Sequence, residues 1–214
     1  MREYVQHLGV WRTVQRSVYV GINQLMRFSL FGVMSVDSRS VNADLVVQDA
    51  LDCRMLSAAE MQHYAESSED EGVRQFLTTA VRRDDRCCTV LDGLVLANVG
   101  FFTCQAAPLL RDLVIHFGPG EWYMYGGWTH PDYRGRRLHG RSTVSGILAL
   151  LEEGAPRLLT VAERTNFPSI ISALRMGWIF RGNLACLGTG QRRRYWASKG
   201  ARKLGMSLAG RPVE

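Results

Sequence analysis

The sequence predicts an α+β fold, a mixed sheet flanked by helices, and three observations predict it. First, Trp122-Tyr123-Met124-Tyr125-Gly126-Gly127-Trp128 reads as a strand that runs through the turn Thr129-His130-Pro131-Asp132-Tyr133-Arg134-Gly135 into a helix. In that helix Val144, Ile147, Leu148 and Leu151 recur at the spacing of one buried face. Second, two apolar runs, Arg86–Leu91 and Leu94–Cys104, are joined by Asp92-Gly93, a strong hairpin signal. Third, Leu158–Ala162 is a short apolar run without alternation, as a strand buried on both faces requires.

The remaining elements follow in chain order. Residues 2–23 read as a helix with Leu8, Trp11, Val14 and Val18 in phase and Arg12 and Arg16 on another face. That helix either packs on the core or docks a partner through its arginines. Met26–Val36 reads as a strand ended by Asp37-Ser38-Arg39-Ser40, and a second strand falls on Leu45–Val47 or on Leu51–Leu56. Ser57-Ala58-Ala59-Glu60 is a capping box that starts a short helix carrying Met61 and Tyr64. Ser68-Glu69-Asp70-Glu71 offers another, for a helix with Val73, Phe76, Leu77 and Ala80 on one face and Arg82 and Arg83 at its negative end. Leu113–Phe117 is a further strand candidate, and Gly154-Ala155-Pro156 stops the long helix. Asn166-Phe167-Pro168-Ser169 opens the next helix, where Ile170, Ile171 and Leu174 are expected to face inward and Gly177 to follow as the C′ residue. Trp178–Phe180 and Arg194–Ala197 read as closing strands. The predicted organisation is a helix and strand packed on the core over 1–40, the main domain over 41–198, and a frayed or weakly docked tail over 199–214.

Composition bounds the function classes. With 214 residues, 46% hydrophobic and 21% charged, the chain can bury a real core. A net charge of +6 favours anionic partners: a phosphorylated cofactor, an acidic carrier protein or, ranked last, nucleic acid. The basic residues are nearly all arginine, Lys199 and Lys203 being the lysines. No run of apolar residues is long enough for a membrane span, and the N-terminal stretch lacks the apolar core of a secretory signal. Five cysteines, odd in number and without a C-x-x-C pair, suit reduced thiols in a cytoplasmic protein. Adjacent Cys87 and Cys88 should face opposite sides of a sheet. The histidines show no metal-ligand spacing, and no G-x-x-x-x-G-K-[ST] is present, which excludes a P-loop ATPase.

The strand–turn–helix at 122–152 is the candidate site. A helix start reached through a turn with glycines points backbone N–H groups and a positive dipole end at one spot. Arg134, Arg136, Arg137 and Arg141 add full charges whose planar forks suit phosphate oxygens, so the segment reads as a pyrophosphate cradle. Tyr123, Tyr125 and Trp128, on the strand before it, are candidates for the wall of an acceptor pocket, with the two tyrosines as catalytic candidates. Glu163, at a strand end, could be a base acting through water. His130 reads as a residue that positions the turn.

This order of elements resembles the GCN5-related N-acetyltransferase (GNAT) superfamily over roughly residues 84–181. The family's acyl-CoA motif, Arg/Gln-x-x-Gly-x-Gly/Ala, falls on Arg134-Gly135-Arg136-Arg137-Leu138-His139, and its Asn-x-x-Ser-Ile…Gly-aromatic segment on Asn166-Phe167-Pro168-Ser169-Ile170…Gly177-Trp178. The resemblance implies a mostly antiparallel sheet splayed between its fourth and fifth strands, with an additional N-terminal helix here. It implies binding of acetyl-CoA or another acyl-CoA. The strand over Gly126, Gly127, Trp128 and Thr129 would pair with the pantetheine arm, and the N–H groups from Gly135 through Arg136, Arg137, Leu138 and His139 to Gly140 would hold the pyrophosphate. Asn166 would bond near the thioester end, with Ser169 in the same cofactor-contacting segment. A backbone N–H near Gly127 or Trp128 would stabilise an oxyanion. Direct attack of a small-molecule amine on the thioester is the implied chemistry.

Three positions depart from the pattern. Arg137 stands where the motif has glycine, and His139 where it has a small residue. Ala173 occupies the place of the tyrosine that in many members protonates the leaving thiolate. Two alternatives stay open: a long-chain N-acyltransferase that takes its acyl group from the phosphopantetheine of acyl carrier protein, and a non-catalytic binding protein on the same fold. A homodimer is also open.

Overall fold

Residues 10–46, 51–110, 112–189 and 192–210 are described by the computed structural model. Among them an eight-stranded sheet is formed by β1 (Phe28–Val36), β2 (Asp52–Leu56), β3 (Arg86–Asp92), β4 (Val95–Thr103), β7 (Trp122–Thr129), β8 (Leu158–Glu163), β9 (Ile179–Leu187) and β10 (Arg194–Ala197). Its order is β2-β3-β4-β7-β8-β1-β9-β10. A smaller sheet, in the order β5-β6-β11, is made from β5 (Ala107–Leu110), β6 (Leu113–His116) and β11 (Ser207–Gly210). The helices are α1 (Val10–Met26), α2 (Ala58–Ser67), α3 (Glu71–Arg83), α4 (Leu138–Glu152), α5 (Phe167–Arg175) and the short α6 (Lys199–Lys203).

Local sequence signals set several of these boundaries. The Ser57 hydroxyl accepts from the Glu60 N–H at 3.2 Å, and Glu60 reaches back to the Ser57 N–H at 2.9 Å, so the reciprocal cap closes as expected. Asp70, not Ser68, caps α3 by accepting from the Val73 N–H at 3.0 Å. Gly93 takes the positive φ that the β3–β4 turn needs. Strand alternation places Cys87 in one core and Cys88 in the other.

The cores lie on the two faces of the large sheet. On one, Val73, Leu77 and Ala80 of α3 pack with Val99, Phe101, Tyr123, Tyr125 and Leu159. On the other, Val144, Ile147 and Leu150 of α4 pack with Phe102, Met124, Leu158 and Trp178. Gly146 is what lets α4 approach: a Cβ there would stand 2.5 Å from the Phe102 ring.

Counted from the β2 edge, the fourth and fifth strands are β7 and β8. They are parallel and pair only through Trp122↔Leu158 and Tyr123↔Leu159. The Thr160 hydroxyl still donates to the Met124 carbonyl at 3.1 Å; beyond it the strands part. This is the expected splay.

The structure refines several expectations. The strand β1 packs in both cores as an interior strand of the large sheet, antiparallel to β8 on one side and to β9 on the other. The tail expected to be frayed or weakly docked forms α6 and β11 over its described part, docked through buried Ala201, Leu204, Met206 and Leu208 with β11 paired to β6; residues 211–214 lie outside the described ones. Helix α1 packs through Thr13, while Trp11 is 72% exposed and Val14 and Val18 are also exposed, so the in-phase apolar face is not the buried one. The start of that helix, residues 2–9, lies outside the described residues. On α5 it is Ala173 that is buried, and Leu174 is exposed. The strand left open between two positions is β2, and Ala43–Leu45 is a short 3-10 turn; Val47 lies outside the described residues.

Gly177 ends α5 at φ +93°, and a Cβ there would lie 1.9 Å from the Ser40 carbonyl oxygen. Gly177→Ala is expected to lower the unfolding free energy by about 3 kcal/mol, through left-handed strain plus forced separation of the 40–42 segment. Urea denaturation of the pair measures it, and a change under about 1 kcal/mol would contradict the packing described.

Candidate active site

The gap between β7 and β8 opens into a cavity of about 960 Å³. Met124, Tyr125, Gly126 and Gly127 of β7 face Thr160, Val161 and Ala162 of β8 across it. Ser169, Ser172, Ala173 and Met176 of the α5 region close one end, and Phe76 and Leu109 another. The backbone of β7 explains why the gap has a usable wall. Its register with β4 slips between Gly100↔Gly127 and Phe101↔Tyr125, which leaves Gly126 as a bulge at φ +59°. With β4 on its far side and β8 diverging, the near edge of β7 past Met124 has no strand partner among the described residues.

At the C-terminal end of β7 the chain turns into α4. His130 accepts from the Asp132 N–H at 3.3 Å and so fixes the turn, as expected. Gly135 (φ +80°) and Arg137 (φ +62°) both sit in the left-handed region, and Arg137 is the N-cap of α4 without a side-chain capping bond. The start of this fifteen-residue helix has no side-chain cap and no acidic residue in its first turn, so its positive dipole end is not offset there. The bend is not filled by its own side chains: nothing lies within 4 Å of a Cβ placed on Gly135. Arg134, Arg136 and Arg137 are exposed around it, and Arg136 lies 5.1 Å over the Tyr133 ring. Arg141 does not join them; it is buried and donates to the Leu51 carbonyl at 2.7 Å.

A buried asparagine joins strand to cradle. Asn98 on β4 donates to the Trp128 carbonyl at 2.7 Å and to the Thr129 hydroxyl at 2.8 Å, and it accepts from the Ser142 hydroxyl on α4. Thr89 donates to the Asn98 carbonyl at 2.7 Å. One side chain therefore fixes the end of β7 relative to the first turn of α4.

The candidate residues separate into three groups. Gly127, His139 and Ser169 line the cavity, and so do the rings of Tyr123 and Tyr125. The tyrosine hydroxyls do not have the catalytic placement expected of them. Tyr125 donates to Asp85 at 2.5 Å, and Asp85 is held by Arg83 at 2.8 Å, while Tyr123 is buried and stacks on Phe117. Burial is the main cause that pushes both phenols up. Trp128 points its indole N–H at Asp70, 3.1 Å away, and Thr129 serves the Asn98 network. Asn166 caps α5 by accepting from the Ser169 N–H at 3.3 Å. Glu163 is not in this cavity but in a neighbouring one. Ala173 does sit on the wall, so no phenol is presented there.

His139 is the titratable side chain that the sequence offered only as part of the motif. Its ring lies against Gly127, 3.1 Å from where a Cβ would be, and burial pushes its pKa down. The neutral ring is therefore the folded form. Its contribution to stability is present above the ordinary histidine value of about 6.5 and is lost as pH falls through the depressed folded value. Met34, Thr160, Phe76 and Leu109 also line the cavity, and the sequence did not point them to one site because each comes from a different element. Among the described residues no group of three or more His, Cys, Asp or Glu side chains is placed to hold a metal ion, and no helix is long and apolar enough to cross a membrane.

No protein-family model matches the chain, and no curated protein matches it by sequence. Solved structures do match. A GCN5-related N-acetyltransferase-like protein from Streptococcus suis 89/1591 superposes with a TM-score of 0.50 at 15% identity, over 90% of this chain and 69% of its own. A GCN5-related N-acetyltransferase from Kribbella flavida gives 0.50 at 13% identity, over 92% and 64%. A functionally unknown protein from Staphylococcus epidermidis ATCC 12228 gives 0.50 at 9%, over 78% and 64%. This chain thus spans less than two thirds of the length of the last two. The likeness shows the fold: a GNAT-type sheet with its splay and flanking helices.

Arg137 in a left-handed conformation costs about 1 kcal/mol that glycine would not. Arg137→Gly is expected to be neutral or stabilising by up to about 1 kcal/mol, whereas Gly135→Ala, at φ +80°, should destabilise by about as much. Opposite signs in paired thermal melts support the bend described here, and equal losses at both positions contradict it.

Proposed function

We propose that this chain, which has the fold of the GCN5-related N-acetyltransferases, is an acyl-CoA-dependent N-acyltransferase, transferring acetyl or another acyl group to an amine. The observation that carries the reading is the joining of an uncapped, arginine-ringed helix start to an open strand edge along one cavity. A diphosphate needs the first and an extended amide arm needs the second.

The residues present fit such a cofactor. The N–H groups from Gly135 to Gly140, with the guanidiniums of Arg134, Arg136 and Arg137, would hold the diphosphate. The unpartnered edge of β7 from Gly126 to Thr129 would take the amide arm as a further strand does. When bound, the thioester supplies an acyl carbonyl open to attack by an amine. Backbone donors at the Gly126 bulge are the chain's own candidates for stabilising charge on the carbonyl oxygen. His139, half-buried beside Gly127 with its pKa pushed down, can accept a proton, and Ser169 and Ser172 on the α5 wall can donate one. These replace Tyr123, Tyr125 and Glu163 as the proton-handling groups. Tyr123, Tyr125 and Phe76 give the acceptor an aromatic wall.

The exposed Arg134, Arg136 and Arg137 also suit an acidic carrier protein, so acetyl-CoA and acyl-carrier-protein donors belong in the same assay. The proposal expects calorimetric binding of CoA and amine-dependent thiol release from one of the two donors. Absence of CoA binding together with no turnover of either donor removes it, and strongly salt-dependent nucleic-acid binding in their place would favour the non-catalytic alternative. The rate should rise with pH as the acceptor amine loses its proton. His139→Gln should lower kcat/KM roughly 100-fold while the Kd for CoA moves by less than about threefold. A wild-type rate in that variant would remove His139 from the mechanism.

A further inference from the structure

The cavity between β7 and β8 draws its wall from both faces of the large sheet. Tyr123 and Tyr125 belong to the core packed by α3, whereas Met34, Met124 and Trp178 belong to the core packed by α4. The arginine-bearing bend lies at the start of α4, whose Val144 and Ile147 pack on the second of these faces. A cofactor held at that bend reaches the gap from the α4–α5 face, which leaves the α3–β5 face for the acceptor. This division of the faces rests on the acyltransferase reading.

The α3–β5 end of the cavity is apolar and aromatic. Pro108, Leu109 and Leu110 come to it from β5, Phe76 from α3, and the rings of Tyr123 and Tyr125 from β7. Phe76 is 41% exposed, whereas Val73, Leu77 and Ala80 of the same helix are buried. Its ring stacks on Phe101 at 5.9 Å and 24°, and Phe101 stacks on Tyr125 at 5.8 Å and 30°. Phe76, the outer ring of that row, comes within 3.4 Å of where a Cβ on Gly126 would stand, so it lies beside the bulge. Among the described residues no Asp, Glu, Lys or Arg side chain lines the cavity, and Gln75 and Thr79 add uncharged polar groups at this end. The buried Asp85 carboxylate is already taken up by the Tyr125 hydroxyl and by Arg83.

We infer that the acceptor is a primary amine carried on an uncharged aromatic body, whose ring packs on Phe76 while its nitrogen lies at the Gly126 bulge. A ring set there would extend the row of Phe76, Phe101 and Tyr125, and ring contacts of this kind add to what the buried apolar area contributes. An ammonium, carboxylate or phosphate at the far end of the acceptor would instead give up its water among Pro108, Leu109 and Leu110 without a partner of opposite charge. The lining therefore selects against polyamines, amino sugars with several ammonium groups and amino acids.

The test uses 2-phenylethylamine, ethanolamine, cadaverine and β-alanine, primary amines that end in a ring, a hydroxyl, a second cation and an anion. Each is titrated calorimetrically into the full chain with saturating CoA, which carries no acyl group and so allows no turnover. The expected result is 2-phenylethylamine binding roughly tenfold tighter than each of the other three. F76A should bring it within about threefold of ethanolamine, and F76Y, which keeps a ring, should keep the preference. Should F76A not fold, F76L decides, with loss of at least about half the preference expected. Affinities equal within about threefold in the wild type, tighter binding of cadaverine or β-alanine, or a preference that F76A leaves unchanged overturns the inference. So does an aromatic end that serves the acyl chain: octanoyl-CoA bound roughly tenfold tighter than acetyl-CoA through Phe76, with no aromatic preference among the amines. The acyltransferase reading fails on different readouts, absent CoA binding and absent thiol release, and in that event the same titrations without CoA decide the ring site by the same outcomes.

Discussion

Everything in the site depends on two strands that begin as neighbours and then part. Exposed strand edges carry unpaired backbone groups and would ordinarily be closed by pairing. Here β7 and β8 stay apart because each is held from its far side: β7 in register with β4 from Asn98 to Thr103, and β8 with β1 from Phe31 to Val36. The Thr160–Met124 bond marks where pairing ends, and the bulge at Gly126 turns the β7 backbone where the gap widens. The insertion of β1 into the sheet is therefore part of what keeps the gap open, as well as a contribution to the core.

The second requirement is that the gap end at a helix start. Asn98 meets it by bonding the carbonyl and hydroxyl at the end of β7 and the Ser142 hydroxyl one turn into α4. A buried amide with its donors and acceptor satisfied transmits position from sheet to helix, and losing one partner would leave a desolvated polar group. The cradle beyond it is built from backbone conformation more than from side chains. Arg137 keeps the left-handed shape that glycine would adopt without strain and adds an exposed charge at the helix start. The departure from the family motif thus changes the cost of the bend and leaves its form intact.

Burial and pairing redistribute the chemistry suggested by residue type. Tyr125 has its hydroxyl tied to Asp85, Trp128 its indole to Asp70, and Asn166 its amide oxygen to a helix cap, so all three spend their polar atoms on positioning. His139, by contrast, is desolvated on the cavity wall. Glu163, one residue beyond the slot wall, lines a neighbouring cavity with Tyr19 of α1 and Ser29 of β1.

The sequence by itself determined the parts governed by neighbours along the chain. The Ser57–Glu60 cap, the Asp92-Gly93 turn, the Gly177 stop and the strand–turn–helix around Gly135 follow from dihedral preferences and periodicity, which act over a few residues. The bend into α4 was legible for that reason. Only the tertiary structure decided that β1 lies between β8 and β9, that the 199–210 segment docks through Leu204 and Met206, that Arg141 turns inward to Leu51, and that Tyr123 and Tyr125 offer rings and not hydroxyls. Each depends on which distant segment covers a given face, and the apolar period of a strand or helix says that a face will be covered without saying by what.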